Sequence, residues 1–174
     1  MELQEARKHL FDPTTRLFSV LDGVMVPDLP NKLREASVPH YCVLPGELPP
    51  DMIYAAPYLV YLSPDSKLAD WIISESFGKS WGIFFQSRRS MLEMRRHFRA
   101  LHQVYDERGN PLKFRYYDPR VLTSFLPTCN GGELKTLFGD VDKFFVESTD
   151  GKSLVIHRLL NGKLETSTIE PEVK

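Results

Sequence analysis

The sequence predicts an α/β (α+β mixed) fold: a mixed sheet flanked by helices, ending in a small antiparallel C-terminal meander. Three observations predict it. Short apolar runs rich in aromatic and β-branched residues alternate with segments of helical period from Phe18 to Asp118. Asp150-Gly151 and Asn161-Gly162 then divide the C-terminal stretch into Lys143 to Ser148, Leu154 to Leu160 and Leu164 to Ile169, which reads as a meander. A chain of 174 residues can bury roughly 70% of its unfolded surface in one body. We expect residues 1–140 as the α/β core and 141–174 as the meander lobe, packed as parts of one domain.

Taken in order, Met1 to Leu10 places Leu3, Ala6 and Leu10 on one side of a short helix that Asp12-Pro13 ends. Leu17 to Leu21 reads as a strand and Asp22-Gly23 as its end. A short helix from Asp28 to Ala36 follows, with Asp28 as cap and Pro30 in its first turn. His40 to Leu44 is a second strand, stopped by Pro45-Gly46, and Pro45 to Pro50 is a loop. Tyr58 to Leu62 is an apolar strand suited to burial on both faces. Ser66 caps a helix that Gly78 stops, and Trp81 to Phe85 is another apolar strand.

Ser90-Met91-Leu92-Glu93 is a capping box, and the helix it opens is expected to run to about Tyr105, with Met91, Met94, Phe98, Leu101 and Tyr105 on its apolar face. Arg108-Gly109-Asn110-Pro111 turns the chain into Phe114-Arg115-Tyr116-Tyr117-Asp118-Pro119-Arg120. The alternation in Lys113 to Asp118 predicts a strand, with Phe114, Tyr116 and Asp118 on one face and Lys113, Arg115 and Tyr117 on the other. Asp118 suits a helix N-cap and Pro119 its first position, with Val121, Leu122, Phe125 and Leu126 as the apolar side. Glu133 to Phe138 is a short helix stopped by Gly139, and Glu170 to Lys174 is a frayed end.

Several function classes are disfavoured by composition. Lys and Arg number 22 against 23 Asp and Glu, so the net charge of -1 gives no general attraction to nucleic acid or anionic membrane. Met1 to Leu10 lacks an apolar signal region, and the apolar run Met52 to Leu62 is too short to span a bilayer. Cys42 and Cys129 are the only cysteines, far apart, which suits free thiols in a reducing compartment. The five histidines form no His-x-x-x-His or Glu-x-x-His pair, so no metal is expected. No Gly-x-Ser-x-Gly and no glycine-rich phosphate loop is present, so neither a catalytic residue nor a cofactor is assigned.

Arg115, Asp118 and Arg120 are the most informative charged residues, and two readings of them stand side by side. They form a polar patch that grips a partner, or an arginine pairs with Asp118 and holds the corner. Arg95, Arg96 and Arg99, with His97 and His102, make a second basic group that reads as a solvated helix face.

Phe114 to Leu122, followed by Phe125-Leu126-Pro127, resembles the signature of the adaptor or effector-chaperone family of type VI secretion systems (Tap/TEC type). Leu21-Asp22-Gly23, Ala56-Pro57-Tyr58-Leu59-Val60, Ser80-Trp81-Gly82-Ile83, His97-Phe98-Arg99 and Leu137-Phe138-Gly139 match in order and rough spacing, so the resemblance covers about Phe18 to Val146. It implies a non-enzymatic cytoplasmic adaptor that binds a type VI effector protein and helps load it onto the spike protein (VgrG-type). Arg99, Arg115, Tyr117, Asp118 and Arg120 are its motif residues, for partner binding or for structure, and the place of Arg99 in the resemblance sets it apart from the solvated helix face, with Asp118 or another acid across the sheet as its expected partner. Many members of the family it resembles carry a longer and more variable C-terminal part than the short tail that follows here. The alternatives are a small α/β hydrolase or nucleotide-binding enzyme and, last, a nucleic-acid binder using the Arg95 to Arg99 face.

Overall fold

The computed structural model describes residues 2–106 and 108–171. Seven strands form one sheet in the order β2-β3-β1-β4-β7-β8-β9, built from β1 (Arg16–Asp22), β2 (His40–Cys42), β3 (Pro57–Leu62), β4 (Gly82–Ser87), β7 (Lys143–Glu147), β8 (Leu154–Leu160) and β9 (Lys163–Ile169). A two-stranded hairpin, β5 (Gln103–Tyr105) and β6 (Pro111–Lys113), stands apart from it. The helices are α1 (Leu3–Leu10), α2 (Leu29–Glu35), α3 (Lys67–Ser76), α4 (Met91–Ala100), α5 (Pro119–Phe125) and α6 (Gly131–Phe138), with a 3-10 turn at Leu126–Thr128.

The mixed α/β class and the C-terminal meander are as expected, and the sheet is more uniform than its helix-strand alternation suggested. Every pairing within it is antiparallel. The reason is that α3 carries the chain over an intervening strand. β3 and β4 both lie antiparallel to β1 and flank it, so they run parallel to each other without touching. The meander is continuous with this sheet, because Phe84 and Phe85 of β4 pair with Phe145 and Phe144 of β7.

Both faces of the sheet are covered at its central strands, while β9 at the edge is mostly exposed. Along β1, Leu17 and Leu21 face a core shared with Ala6 and Leu10 of α1, Leu29 and Leu33 of α2, and Ile72 and Ile73 of α3. Phe18 and Val20 face the other core, with Phe98 of α4, Leu122 of α5 and Leu137 of α6. Successive strand side chains point to opposite faces, so a strand covered on both sides must be apolar at nearly every position. This is why the β3 and β4 segments are continuous apolar runs in an antiparallel sheet. The aromatic side chains cluster in the second core: Phe98 stacks on Tyr116 with centroids 5.2 Å apart and lies 4.6 Å from Phe85.

Capping fixes several boundaries read from the sequence. The Ser66 hydroxyl accepts from Ala69 N–H at the start of α3, and Ser90 with Glu93 forms the expected box at the start of α4. Asn130 and Glu133 form a second box, which moves the start of α6 back to Gly131. Asp28 does not cap α2; its backbone is left-handed and its carboxylate accepts from the Asn31 side chain instead.

Two further expectations fail. The helix opened by Ser90 stops at Ala100 rather than near Tyr105, because the chain turns at Leu101 into the β5–β6 hairpin and Tyr105 is left exposed. The strand expected over Lys113 to Asp118 ends at Lys113. Asp118 N–H donates to the Arg115 carbonyl, so the chain turns there, and Phe114, Tyr116, Tyr117 and Asp118 are all buried. Burial of the aromatic rings, not a pleat, accounts for the alternation-like pattern. The frayed end expected at Glu170 to Lys174 falls largely outside the described residues.

Candidate functional site

At one end of the sheet, β1 finishes and β4 begins side by side, and β3 begins and β7 finishes on either flank. Asp22 N–H donates to the Trp81 carbonyl at 2.8 Å, and Gly23 N–H donates to the Ala56 carbonyl at 3.1 Å. Two glycines allow these approaches. A Cβ on Gly82 would sit 2.1 Å from the Val20 carbonyl oxygen, and one on Gly23 would sit 2.4 Å from that of Ala56. Both obstacles are backbone, which side-chain motion cannot relieve.

The corner before α5 packs against this end. Asp118 is 3% exposed, and its carboxylate accepts four hydrogen bonds. Arg120 contributes three of them, Nε to Oδ1 at 2.9 Å, Nη2 to Oδ2 at 2.8 Å and its own backbone N–H to Oδ1 at 3.0 Å. Arg115 Nη2 adds a bond to Oδ2 at 3.0 Å. The backbone bond is the N-cap of α5, so one carboxylate both caps a helix and anchors two guanidinium groups. Burial pushes the Asp118 carboxyl up, but the hydrogen bonds and charge of Arg120, with the charge of Arg115, outweigh it and hold it below the usual carboxylate range.

The two arginines are displayed outward. The Arg115 side chain is 52% exposed and that of Arg120 61%. Tyr117 is turned inward, its ring edge-on to Tyr116 with centroids 5.5 Å apart; burial and the neighbouring Asp22 charge push its hydroxyl up to about 12. Asp22 is also buried; desolvation raises its carboxyl, opposed by the bond it accepts from Val24 N–H at 2.9 Å and by the charge of Arg115.

On the far flank Glu147 closes the site. Its carboxylate accepts from the backbone N–H of Gly78, from Ser80 N–H at 2.8 Å and from the Ser80 hydroxyl at 3.0 Å. Arg120 and Glu147 line the same cleft of about 170 Å³, with Pro119 and the Ser148 to Gly151 turn. Sequence reasoning did not assign Glu147. No local pattern marks it, since its partners lie on the turn before β4.

Arg99 does not join this constellation. It lies half-buried on α4, close enough to Cys42 of β2 to draw down the thiol that burial pushes up, and the pairing expected with Asp118 is not formed. The other arginines of that helix also act separately. The Arg95 guanidinium sits 4.8 Å from the Tyr41 ring centroid, and Arg96 is exposed. His97 faces inward and shares a hydrogen bond with the Leu137 carbonyl. Both cysteines are free and half-buried. Among the described residues, no group of three or more His, Cys, Asp or Glu is placed to hold a metal, and no helix is long and apolar enough to cross a membrane.

Residues 17–136 match the model of a family described as a domain of unknown function, DUF4123. The chain belongs to the DUF4123 family. No curated protein and no solved structure matches it. The DUF4123 match runs from β1 into α6, so it includes Asp22, Arg99, Arg115, Tyr117, Asp118 and Arg120 and leaves out α1 and the meander. Glu147, which bonds the turn leading to β4, therefore comes from outside the matched region.

Proposed function

We propose that the chain is a non-enzymatic adaptor of a type VI secretion system, which binds an effector protein in the cytoplasm and helps load it onto the spike protein (VgrG-type). Membership of DUF4123 and the motif resemblance support the reading. The observation that carries it is geometric. Leu21-Asp22-Gly23, Ala56-Pro57, Ser80-Trp81-Gly82 and Arg115 to Arg120 are dispersed in the chain, yet they meet at one end of the sheet beneath two outward-facing arginines.

That arrangement suits recognition of another protein. Outward-facing arginines held by a buried carboxylate are among the side chains enriched at interface centres. Holding the effector and then passing it to the spike calls for an interface of ordinary size, roughly 1,200–2,000 Å².

The test is purification of the tagged chain from its native cells while they are assembling the secretion machine, with mass spectrometry of what co-elutes and an effector-delivery assay in a deletion strain. The adaptor reading expects one toxin-like protein, with or without the spike, and loss of that toxin's delivery on deletion. Normal delivery of every effector in the deletion strain would overturn it.

A further inference from the structure

We propose that the sheet end is the docking face for the partner, and that the partner segment it takes pairs apolar side chains with a carboxylate. The inference rests on the adaptor reading only in taking the partner to be a protein.

The apolar half comes from two loops fastened together. Val24 is 69% exposed, Met52 42%, Ile53 37% and Tyr54 48%. These side chains are not on loose chain. Gly23 N–H holds the Ala56 carbonyl, the Tyr54 carbonyl lies against Gly23, and Tyr58 donates its hydroxyl hydrogen to the Ile53 carbonyl at 3.0 Å. A clustered and braced set of large apolar groups marks an interaction surface better than scattered ones do.

The polar half follows from hydrogen-bond accounting. The carboxylates nearby are engaged within the molecule: Asp118 takes four bonds, Glu147 takes three, buried Asp22 takes the Val24 N–H, and exposed Asp150, which shares the cleft with Arg120, takes the Ser148 hydroxyl and the Lys152 N–H of its own turn. The donors are not. Among the described residues, Arg115 bonds through Nη2 and Arg120 through Nε and Nη2, on side chains that are 52% and 61% exposed, so both guanidinium groups keep donor capacity at the surface. A face that presents donors is complemented by acceptors, and a guanidinium bonds a carboxylate with the best geometry. Because Asp118 already holds both side chains, less rotamer freedom remains to be lost on binding. Asp22 lies between the two halves, since its backbone leads into Gly23 and Val24 while its carboxylate senses Arg115, Asp118 and Arg120.

A larger groove elsewhere offers a contrast. It measures about 580 Å³ between the β5–β6 hairpin and α6, and is lined by Tyr105, Leu112, Phe114 and Phe125. Its polar lining includes Gln103, Asn130, Glu133 and Thr136, and among the described residues it has no arginine or lysine to receive a carboxylate.

Random dodecapeptides displayed on phage, selected against the intact chain, test the proposal without a known effector. The recovered peptides are expected to combine apolar residues with Asp or Glu. A synthetic representative is expected to bind at least tenfold more weakly to Tyr54→Ser and to Arg115→Gln, and with unchanged affinity to Tyr105→Ser in the groove. Tyr54 and Arg115 are exposed, so both variants are expected to fold, and circular dichroism checks this. Recovery of peptides without acidic residues, undiminished binding to Tyr54→Ser, or no enrichment at all would overturn the proposal. None of these outcomes depends on the toxin, whereas failure of the adaptor reading shows separately, as normal effector delivery in the deletion strain.

Discussion

Two groups of arginines in this protein look alike in sequence and differ in what the fold does with them. Arg115 and Arg120 share the buried Asp118 carboxylate and point outward from a fixed base. Arg95, Arg96 and Arg99 lie along α4 with no acid paired to any of them among the described residues; Arg95 rests on Tyr41 and Arg96 faces solvent. Of the α4 arginines, Arg99 lies in the last turn, where a cation interacts favourably with the backbone dipole. What separates a pre-organised arginine from a solvated one is a buried counter-charge, and local sequence shows that only when the acid is a near neighbour, as Asp118 is.

The largest expected effect tests whether the sheet end is rigid. Gly82→Ala forces a Cβ into the Val20 carbonyl, so β4 must move off β1, and the loss is expected to reach about 3 kcal/mol in urea unfolding. An unchanged midpoint would mean that the strands part easily there. Asp118→Ala removes the α5 cap and the shared anchor together and is expected to cost about 2–3 kcal/mol by the same method. The Asp118 contribution also has a defined pH window. Its folded carboxyl is held down, so the stabilisation is fully present above the unfolded value of about 3.9 and disappears as pH falls through the lower folded value.

Next in size is the direct comparison of the two arginine groups. Arg120→Gln is expected to cost about 1.5–2 kcal/mol because it strips charged hydrogen bonds from a buried carboxylate. Arg96→Gln is expected to stay within about 0.5 kcal/mol. Equal effects would erase the distinction drawn above. Arg95→Ala is intermediate, about 0.5–1 kcal/mol, for loss of its contact with Tyr41.

A slower loss of stability is expected on mild acidification, and it comes from histidine. His157 is buried on β8, which lowers its folded value from 6.5 to about 4. The unfolded chain binds the proton more readily, so stability declines as pH falls from about 6.5 toward 4. His97 and His102 shift in the same direction through burial. Replacing His157 by Gln is expected to flatten the fall of the thermal midpoint over that range. An equally steep fall would place the sensitivity elsewhere.

Much of the fold was legible because its boundaries are set by short-range chemistry. Ser66, Ser90 with Glu93, Asp118-Pro119, Asp150-Gly151 and Asn161-Gly162 each act within a few residues of themselves, and each marks an element end in the structure. The turn at Arg115 to Asp118 was not legible, since aromatic residues buried in irregular chain show the same alternation as a strand. The end of α4 was missed for a related reason: Leu101 continues the helical spacing and no glycine or proline interrupts it before Tyr105. At the site, the Asp118 cap and its arginines were readable. Their meeting with Asp22, and the closing contact of Glu147 with Ser80, depend on strand order, which no local pattern encodes.

The central claim is that a partner protein is held at the sheet end. Hydrogen–deuterium exchange on the intact chain, alone and with the effector recovered from native cells, tests it most directly. The account predicts slowed exchange of amides at 22–24, 51–56 and 115–120, with the β5–β6 hairpin and α6 unchanged. Protection confined to residues 103–105, 111–113 and 131–138, with the sheet end exchanging as in the free chain, would contradict it.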